Sequence, residues 1–240
     1  MNVILTGFMG TGKTSVGKRL AKRLGWRLVD LDQLIEASAK MPIARIFAER
    51  GEAVFRRLER RCISRVIHGH QQVIATGGGA FVDPQNRLRL RVSGPVICLT
   101  AKPQAILKRV GDTLETRPLL HRGARSRPLA RIRGLLAQRA RAYAQADVTI
   151  DTTNLTVDEV TERVWEHLSP CLCKSWQYLL DHTGPLSQRY GGKYVVVVDN
   201  RIVASGETQL KAYQNAPRLL KTREAGIYYI PLPEESLTAL

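Results

Sequence analysis

Apolar runs and amphipathic patterns alternate along the first 169 residues of the chain. Short apolar runs predict buried strands, and periodic apolar positions predict helices between them. The predicted strands cover residues 3–5, 26–31, 73–76, 96–99 and 148–150, and the predicted helices cover residues 15–24, 42–49, 53–68, 103–110, 130–146 and 156–168. This alternation predicts an α/β fold in which helices cover both faces of a parallel sheet.

The pattern changes after residue 169. The Ser169-Pro170 step predicts a linker over residues 170–185, between a domain at 1–169 and a small C-terminal domain at 186–240. In the small domain, apolar runs at 194–198 and 201–204 flank Asp199-Asn200 and predict a β-hairpin. A helix over 207–216 and a strand over 227–230 complete a ββαβ unit of the α+β class. A unit of about 50 residues is too small to be very stable alone.

Composition and charge indicate the cellular location of the protein and the classes of molecule that it could bind. The sequence contains no apolar run long enough for a transmembrane helix, no signal-peptide pattern, and four scattered cysteines that do not form a disulfide framework. We therefore expect a cytoplasmic protein without a membrane partner. The net charge is +16, and all but +2 of it lies before Pro170. A basic surface attracts phosphorylated or carboxylated small molecules. It also attracts nucleic acid without specificity, and no specific nucleic-acid-reading motif is present.

A phosphate-binding motif lies between the first predicted strand and the first predicted helix. Residues 7–14 read G-x-x-x-x-G-K-T, from Gly7 to Thr14. Glycines in such a loop let backbone N–H groups point at phosphate oxygens, and the following helix start adds further donors. Lys13 can reach the β- and γ-phosphates, and the Thr14 hydroxyl can ligate Mg²⁺. The motif predicts that the chain binds a nucleoside triphosphate.

Two further groups of residues follow predicted strands, where ligands of parallel sheets bind. Asp30 and Asp32 follow the second strand. One carboxylate can hold the Mg²⁺ shell and the other can orient or deprotonate an acceptor hydroxyl; the alternative is an aspartate that caps a helix. The three glycines at 77–79 follow the third strand and allow the backbone to approach a ligand closely.

Arginines offer candidate contacts for anionic groups. Arg56 lies in a predicted helix and could bind a substrate carboxylate. Arg139 lies in the predicted helix at 130–146, and either arginine could instead be a solvated charge on a helix. Arg117 begins a basic, glycine-bearing stretch that ends at Pro128 and suits a lid over the transferring phosphate. A second Arg-Pro-Leu sequence at Arg127 offers an alternative lid arginine.

Together these motifs resemble one family, the shikimate kinases. The resemblance covers about residues 1–169 and rests on the P-loop, Asp30-x-Asp32, Gly51-Glu52-x-x-Phe55-Arg56-x-x-Glu59, Gly77-Gly78-Gly79, Arg117-Pro118-Leu119-Leu120 and Arg139-x-x-x-Tyr143. It implies a P-loop kinase fold. It also implies transfer of the γ-phosphate of ATP, with Mg²⁺, to the 3-hydroxyl of shikimate in aromatic amino acid biosynthesis.

The resemblance also implies roles for individual residues. It implies that nucleotide is bound by Gly10, Thr11, Gly12, Lys13, Thr14, Ser15, Arg109 and Arg117, and shikimate by Asp32, Arg56, Gly77, Gly78, Gly79 and Arg139. Thr14 and Asp30 would hold Mg²⁺, and the catalytic residues would be Lys13, Asp32 and Arg117.

Two alternative functions and one open question remain at this point. The chain could be a P-loop kinase for another polyol acid, such as gluconate, or a kinase-like ligand sensor that does not catalyse. The C-terminal domain lies outside the kinase motifs, and its hairpin offers a surface for a protein partner or for self-association.

Overall fold

The protein, a computed structural model, is described over residues 1–111, 128–198, 201–216 and 226–232. Within these residues five parallel strands form one sheet in the order β2-β3-β1-β4-β5. The strands are β1 (Val3–Gly7), β2 (Arg27–Asp30), β3 (Gln72–Ala75), β4 (Val96–Thr100) and β5 (Val148–Asp151). The helices around them are α1 (Lys13–Leu24), α2 (Leu31–Ala39), α3 (Ile43–Glu49), α4 (Gly51–Val66), α5 (Pro84–Ser93), α6 (Pro103–Val110), α7 (Pro128–Tyr143) and α8 (Val157–Asp181).

Strand β1 lies in the centre of the sheet and is the point where the strand order reverses. Ile4 pairs with Ile74 of β3 on one side and with Val96 of β4 on the other. In open parallel sheets, ligands bind beyond the carboxyl ends of the strands at such a reversal. The P-loop follows β1 at this position, so the fold places it where a ligand is expected.

Successive residues of β1 face opposite sides of the sheet and enter two separate cores. Val3 and Leu5 belong to the core that α1 and α8 complete through residues such as Leu20 and Val164. Ile4 belongs to the larger core on the other face, together with residues of α2, α4 and α5. Helices therefore cover both faces of the parallel sheet, as predicted.

Two features near the sheet differ from the sequence prediction. Strand β2 covers Arg27–Asp30 and not residues 26–31, and the next residues already form α2, so that Asp32 follows the strand, as predicted, but lies in the first turn of a helix. Helix α5 had no predicted counterpart. Its residues Arg87 to Val92 alternate charged and apolar side chains with a period of two, which favours a strand and conceals the helix. The Asp83 side chain and Pro84 nevertheless provide a good helix start.

The predicted end of the last helix of the first domain at residue 168 is wrong, because α8 continues to Asp181. A second helix, α9 (Thr183–Tyr190), follows almost directly, so most of the predicted linker is helical. Proline removes one helical hydrogen bond. The packing of Leu168 on the parallel sheet and of Leu179 on the C-terminal sheet supports the helix on both sides of Pro170. The domain boundaries themselves stay predictions.

The C-terminal region contains the predicted ββαβ unit. Strands β6 (Lys193–Val198), β7 (Arg201–Gly206) and β8 (Gly226–Ile230) form an antiparallel sheet in the order β7-β6-β8, and α10 (Gln209–Asn215) lies between β7 and β8 in the chain. The predicted Asp199-Asn200 turn lies outside the described residues. Over the part of the chain that is described, no helix has the length and apolar character needed to cross a membrane.

Candidate active site

The P-loop is built on glycines that no other residue could replace without strain. Gly7 has a φ of 130°, and a Cβ at this position would lie 2.1 Å from the carbonyl oxygen of Leu99. Gly12 has a φ of 94° and caps the start of α1. Because the first turn of α1 contains no acidic residue, the positive end of the helix dipole stays available to an anion.

Side chains of the P-loop are tied to its own backbone. The buried Thr11 hydroxyl and the Lys13 ammonium both donate to the carbonyl oxygen of Phe8, each at 2.7 Å. Gly10 and Gly12 both have positive φ angles and shape the turn between them. These contacts place Lys13 over the loop, where a nucleotide phosphate would accept from it.

Asp30 caps a helix and also contacts the P-loop. Its Oδ1 accepts from the backbone N–H groups of Asp32 (3.0 Å) and Gln33 (3.3 Å), and so caps α2. Its Oδ2 accepts a hydrogen bond of 2.7 Å from the Thr14 hydroxyl. One carboxylate oxygen therefore stabilises the helix, and the other reaches the P-loop.

The pair formed by Thr14 and Asp30 suits Mg²⁺ by the chemistry of its donors, because Mg²⁺ prefers oxygen ligands and keeps several waters. Among the described residues no group of three or more His, Cys, Asp or Glu side chains could hold a metal ion.

Each glycine of the 77–79 loop lies against a different predicted substrate residue. A Cβ on Gly77 would be 2.5 Å from Oδ1 of Asp32, and one on Gly78 would be 3.2 Å from Nη1 of Arg139. A Cβ on Gly79 would be 2.5 Å from Nη1 of Arg56. The loop thus brings one carboxylate and two guanidinium groups together, and a Cβ at any of the three positions would crowd one of them.

Arg56 is held in place by two acidic side chains of its own helix. Its Nη1 donates to Oε2 of Glu59 at 3.0 Å, and its Nη2 donates to Oε1 of Glu52 at 3.2 Å. Burial lowers the pKa of the Arg56 guanidinium, but the pairing with Glu59 and Glu52 outweighs it and raises that pKa. Burial also raises the pKa of the Glu59 carboxyl, against the opposing effect of Arg56.

Arg139 is a buried residue and not a solvated helical charge, since only 6% of its surface is exposed. Its Nη1 donates to the carbonyl oxygen of Gly78 at 2.9 Å, and its guanidinium lies over the Phe8 ring at 5.2 Å. The Tyr143 hydroxyl donates to the same Gly78 oxygen at 2.6 Å. Burial raises the pKa of Tyr143 to about 12, so the hydroxyl keeps its proton at neutral pH.

Arg109 connects helix α6 to the loop after β5, beside the P-loop. Its guanidinium donates to the hydroxyl of Thr152 at 3.0 Å and to the carbonyl oxygens of Thr152 and Thr153. It also lies 3.4 Å from the carbonyl oxygen of Gly10. This position is compatible with the nucleotide contact expected for Arg109.

For the remaining predicted site residues the structure gives little or no information about contacts. Ser15 lies exposed in the first turn of α1. Arg117, the alternative Arg127 and the stretch between them lie outside the described residues.

The sequence analysis gave no separate role to three residues that shape the site. They are Phe8 under Arg139, Tyr143 on Gly78, and Glu59, which fixes Arg56. The spacing of Arg56 and Glu59 on one helix could have indicated that pair.

Comparison with known proteins agrees with this geometry. The shikimate kinase family model matches residues 9–169, which is two thirds of the chain. The chain belongs to the shikimate kinase family. A shikimate kinase of Caldanaerobacter subterraneus subsp. tengcongensis is 45% identical over 163 residues, covering 68% of this chain and 93% of that protein. A shikimate kinase of Symbiobacterium thermophilum is 46% identical over 170 residues, covering 70% and 96%.

Solved structures give the same result for the fold. A shikimate kinase from Acinetobacter baumannii in complex with shikimate superposes with a TM-score of 0.66 at 33% identity, covering 70% of this chain and 93% of that one. A second model, described as a family of unknown function (DUF5678), matches residues 186–234. The shikimate kinase match and the DUF5678 match therefore occupy separate parts of the chain.

Proposed function

We propose that this protein transfers the γ-phosphate of ATP to the 3-hydroxyl of shikimate, giving shikimate 3-phosphate and ADP. The observation that carries the proposal is the 77–79 loop, which gathers Asp32, Arg56 and Arg139 next to the P-loop. A cyclic polyol acid presents a carboxylate for guanidinium groups and hydroxyls for an aspartate.

The residues divide the chemistry between binding and charge stabilisation. Arg56 and Arg139 hold the substrate carboxylate, and Asp32 accepts a hydrogen bond from the acceptor hydroxyl and takes its proton as transfer proceeds. Lys13 stabilises the negative charge on the transferring phosphoryl group. Thr14 and Asp30 would hold Mg²⁺, which would neutralise charge on the phosphates when bound. Positioning of the two substrates supplies much of the remaining rate enhancement.

Support for the proximity of the two substrates comes from Gly78. A Cβ at this residue would lie 3.4 Å from the backbone nitrogen of Met9 and 3.5 Å from the carbonyl oxygen of Gly7. The candidate shikimate loop and the P-loop are therefore so close that a single methyl group on Gly78 would bridge them. An acceptor hydroxyl bound on one loop and a phosphate bound on the other would be neighbours.

A coupled assay of ADP release with ATP and Mg²⁺ tests the reaction. We expect release that depends on shikimate and not on gluconate. Lys13→Met should lower kcat by about 100-fold or more, as the loss of one transition-state donor does. Lys22→Met, an exposed change on the same helix, is the matched control and should leave kcat unchanged. Equal stimulation by gluconate, or none by shikimate, would contradict the proposal.

The lid assignment needs its own comparison. We assign the lid arginine to Arg117, because Arg127 would leave too little chain before Arg139. Arg117→Ala should therefore lower kcat much more than Arg127→Ala, and the reverse order would exchange the two roles.

The cytoplasmic location of the protein stays a prediction from the sequence.

A further inference from the structure

The amino ends of the kinase strands carry a small platform at the end of the sheet opposite the P-loop. The platform consists of residues 1–2, 69–72 and 92–94, which are joined by the fully buried Asn2. The Asn2 amide donates to the carbonyl oxygen of Gly69 at 2.7 Å and to the hydroxyl of Ser93 at 2.8 Å. Its Oδ1 accepts from the backbone N–H of Gln72 at 3.1 Å. Three segments of the kinase domain thus form one surface.

Both faces of strand β6 meet apolar side chains of this platform. Val195 and Val197 share an apolar cluster with Met1, and with Leu179, Leu186 and Tyr228 of the C-terminal region. On the opposite face, Val196 and Val198 share a cluster with Val92 of α5. The other buried members of that cluster all belong to the C-terminal unit: Ala212, Ala216 and Ile227. Val92 is therefore buried by the C-terminal unit, although it is part of the kinase domain.

Aromatic rings form a third contact. The His70 ring stacks on the Tyr229 ring, with centroids 5.3 Å apart and planes 11° apart, and its centroid is 5.6 Å from that of Tyr194. The Tyr194 hydroxyl lies 3.3 Å from Nε2 of His70. Tyr194 and Tyr229 are directly paired neighbours on β6 and β8, so the two strands together receive the histidine.

We propose that the platform is a docking surface for the chain's own C-terminal unit, described over residues 178–198, 201–216 and 226–232, and that the two units unfold together. A unit of this size buries too little apolar surface to be stable by itself. Without the unit, Met1 and Val92 would expose apolar surface. The partner is assigned to the same chain because α8 runs without a break from the kinase sheet, at Val160, to the C-terminal cluster, at Leu179.

Two aspartate substitutions on α5 in the full chain form a matched pair. Val92→Asp places a charge in the proposed interface, and Leu88→Asp changes a residue of the same helix that is 46% exposed. We expect Val92→Asp to lower the melting temperature by several degrees and to increase amide hydrogen exchange in β6, β8 and residues 69–72. Leu88→Asp should change neither. Equal effects of the two substitutions would overturn the proposal, as would two separate thermal transitions in the unsubstituted chain.

A double-mutant cycle on the His70–Tyr229 stack tests the same interface without the Val92 variant, so that misfolding of that variant would not leave the proposal untested. His70→Ala and Tyr229→Ala each remove one ring of the stack, and we expect their combined loss of stability to be smaller than the sum of the single losses. Additive losses would overturn the proposed contact.

The source of the docked unit is tested by molar mass and by dilution. Light scattering should give a monomer in which exchange protection of β6 and β8 does not change on dilution. A dimer that loses this protection on dilution would mean that a second copy supplies the unit, and would overturn the assignment to the same chain. None of these readouts depends on turnover, so their outcome is separate from that of the proposed function.

Discussion

Gly79 is the residue at which the smallest change should have a specific effect on substrate binding. A methyl group there would lie 2.5 Å from Nη1 and 2.8 Å from Nη2 of Arg56. The end of an arginine side chain can move, so Gly79→Ala should fold but displace the guanidinium. We expect the KM for shikimate to rise about tenfold or more, the range for losing a charge-assisted contact, with little change in the KM for ATP.

The control for this change is Gly134→Ala on α7. A Cβ at Gly134 would meet nothing within 4 Å, so both KM values should stay unchanged. The substitution should also stabilise the helix by roughly 0.5–1 kcal/mol. An equal rise of both KM values in Gly79→Ala, measured by steady-state kinetics, would show that Arg56 does not contact shikimate.

Tyr143 is expected to act as a positioning residue through the carbonyl group of Gly78. Tyr143→Phe removes the donor at 2.6 Å but leaves the oxygen with its bond from Arg139. We expect a loss of stability of about 0.5–1.5 kcal/mol and a rise of several-fold in the KM for shikimate only. Tyr213→Phe, on α10 of the C-terminal unit, serves as the control. A loss of stability with an unchanged KM would limit Tyr143 to a structural role.

Sequence reasoning assigns roles most readily to residues that lie in local motifs. The P-loop glycines, Lys13 and the glycines at 77–79 were predicted because a short segment carries each signal. The positions of Glu59 and Tyr143 depend on burial between separate helices, and arginine-rich helices such as α4 conceal a buried carboxylate among exposed charges. The structure was needed to show that Arg139 is buried and that Asp30 serves both α2 and the P-loop.

At the scale of elements, Asp30 allows the helix cap to be separated from the metal shell. Asn is as good an N-cap as Asp, whereas Ala is a poor one. Asp30→Asn should therefore keep the stability of the protein while raising the Mg²⁺ concentration needed for half-maximal activity. Asp30→Ala should raise the required Mg²⁺ concentration and also lower the free energy of unfolding by about 0.5–2 kcal/mol.

Asp83 provides a matched control, because its side chain caps α5 through the N–H groups of Gln85 and Asn86 at 2.8 and 3.1 Å. Asp83→Ala should lower stability by a similar amount without changing the Mg²⁺ dependence. If Asp30→Asn showed the same Mg²⁺ titration curve as the unsubstituted protein, Asp30 would be a helix cap alone.

The element predictions failed where tertiary packing outweighs local pattern. The alternating charges of α5 resemble a strand, yet Leu90 is buried in the kinase core and Val92 under the C-terminal sheet, which stabilises the helix. Similarly, Pro170 indicates a helix end, but α8 is anchored on both sides of it. Both contacts join residues far apart in the chain, which no local window contains.

At the scale of the whole molecule, the contact between the two units should make stability depend on pH. Burial, with a smaller contribution from the amino terminus and His68, lowers the pKa of His70 from 6.5 to about 4. Its Nδ1 is buried and has no hydrogen-bond partner among the described residues, and Tyr194 and Tyr229 cover the ring. A proton on this ring would therefore be poorly accommodated in the folded state.

The sign of the effect follows from proton binding. Between pH 6.5 and about 4 the unfolded chain protonates this histidine while the folded protein keeps it neutral, so the unfolded state binds more protons. The free energy of unfolding should fall as the pH is lowered through that window, and urea unfolding at several pH values measures it.

Carboxylates titrate in the same range, so the informative quantity is the difference in the free energy of unfolding between the unsubstituted chain and His70→Gln, which should lose less stability as the pH falls. His167→Gln, at an exposed position on α8 away from His70, should follow the unsubstituted protein. Parallel curves for His70→Gln and the unsubstituted chain would mean that His70 stays accessible to protons, and that the C-terminal unit does not hold it against the platform.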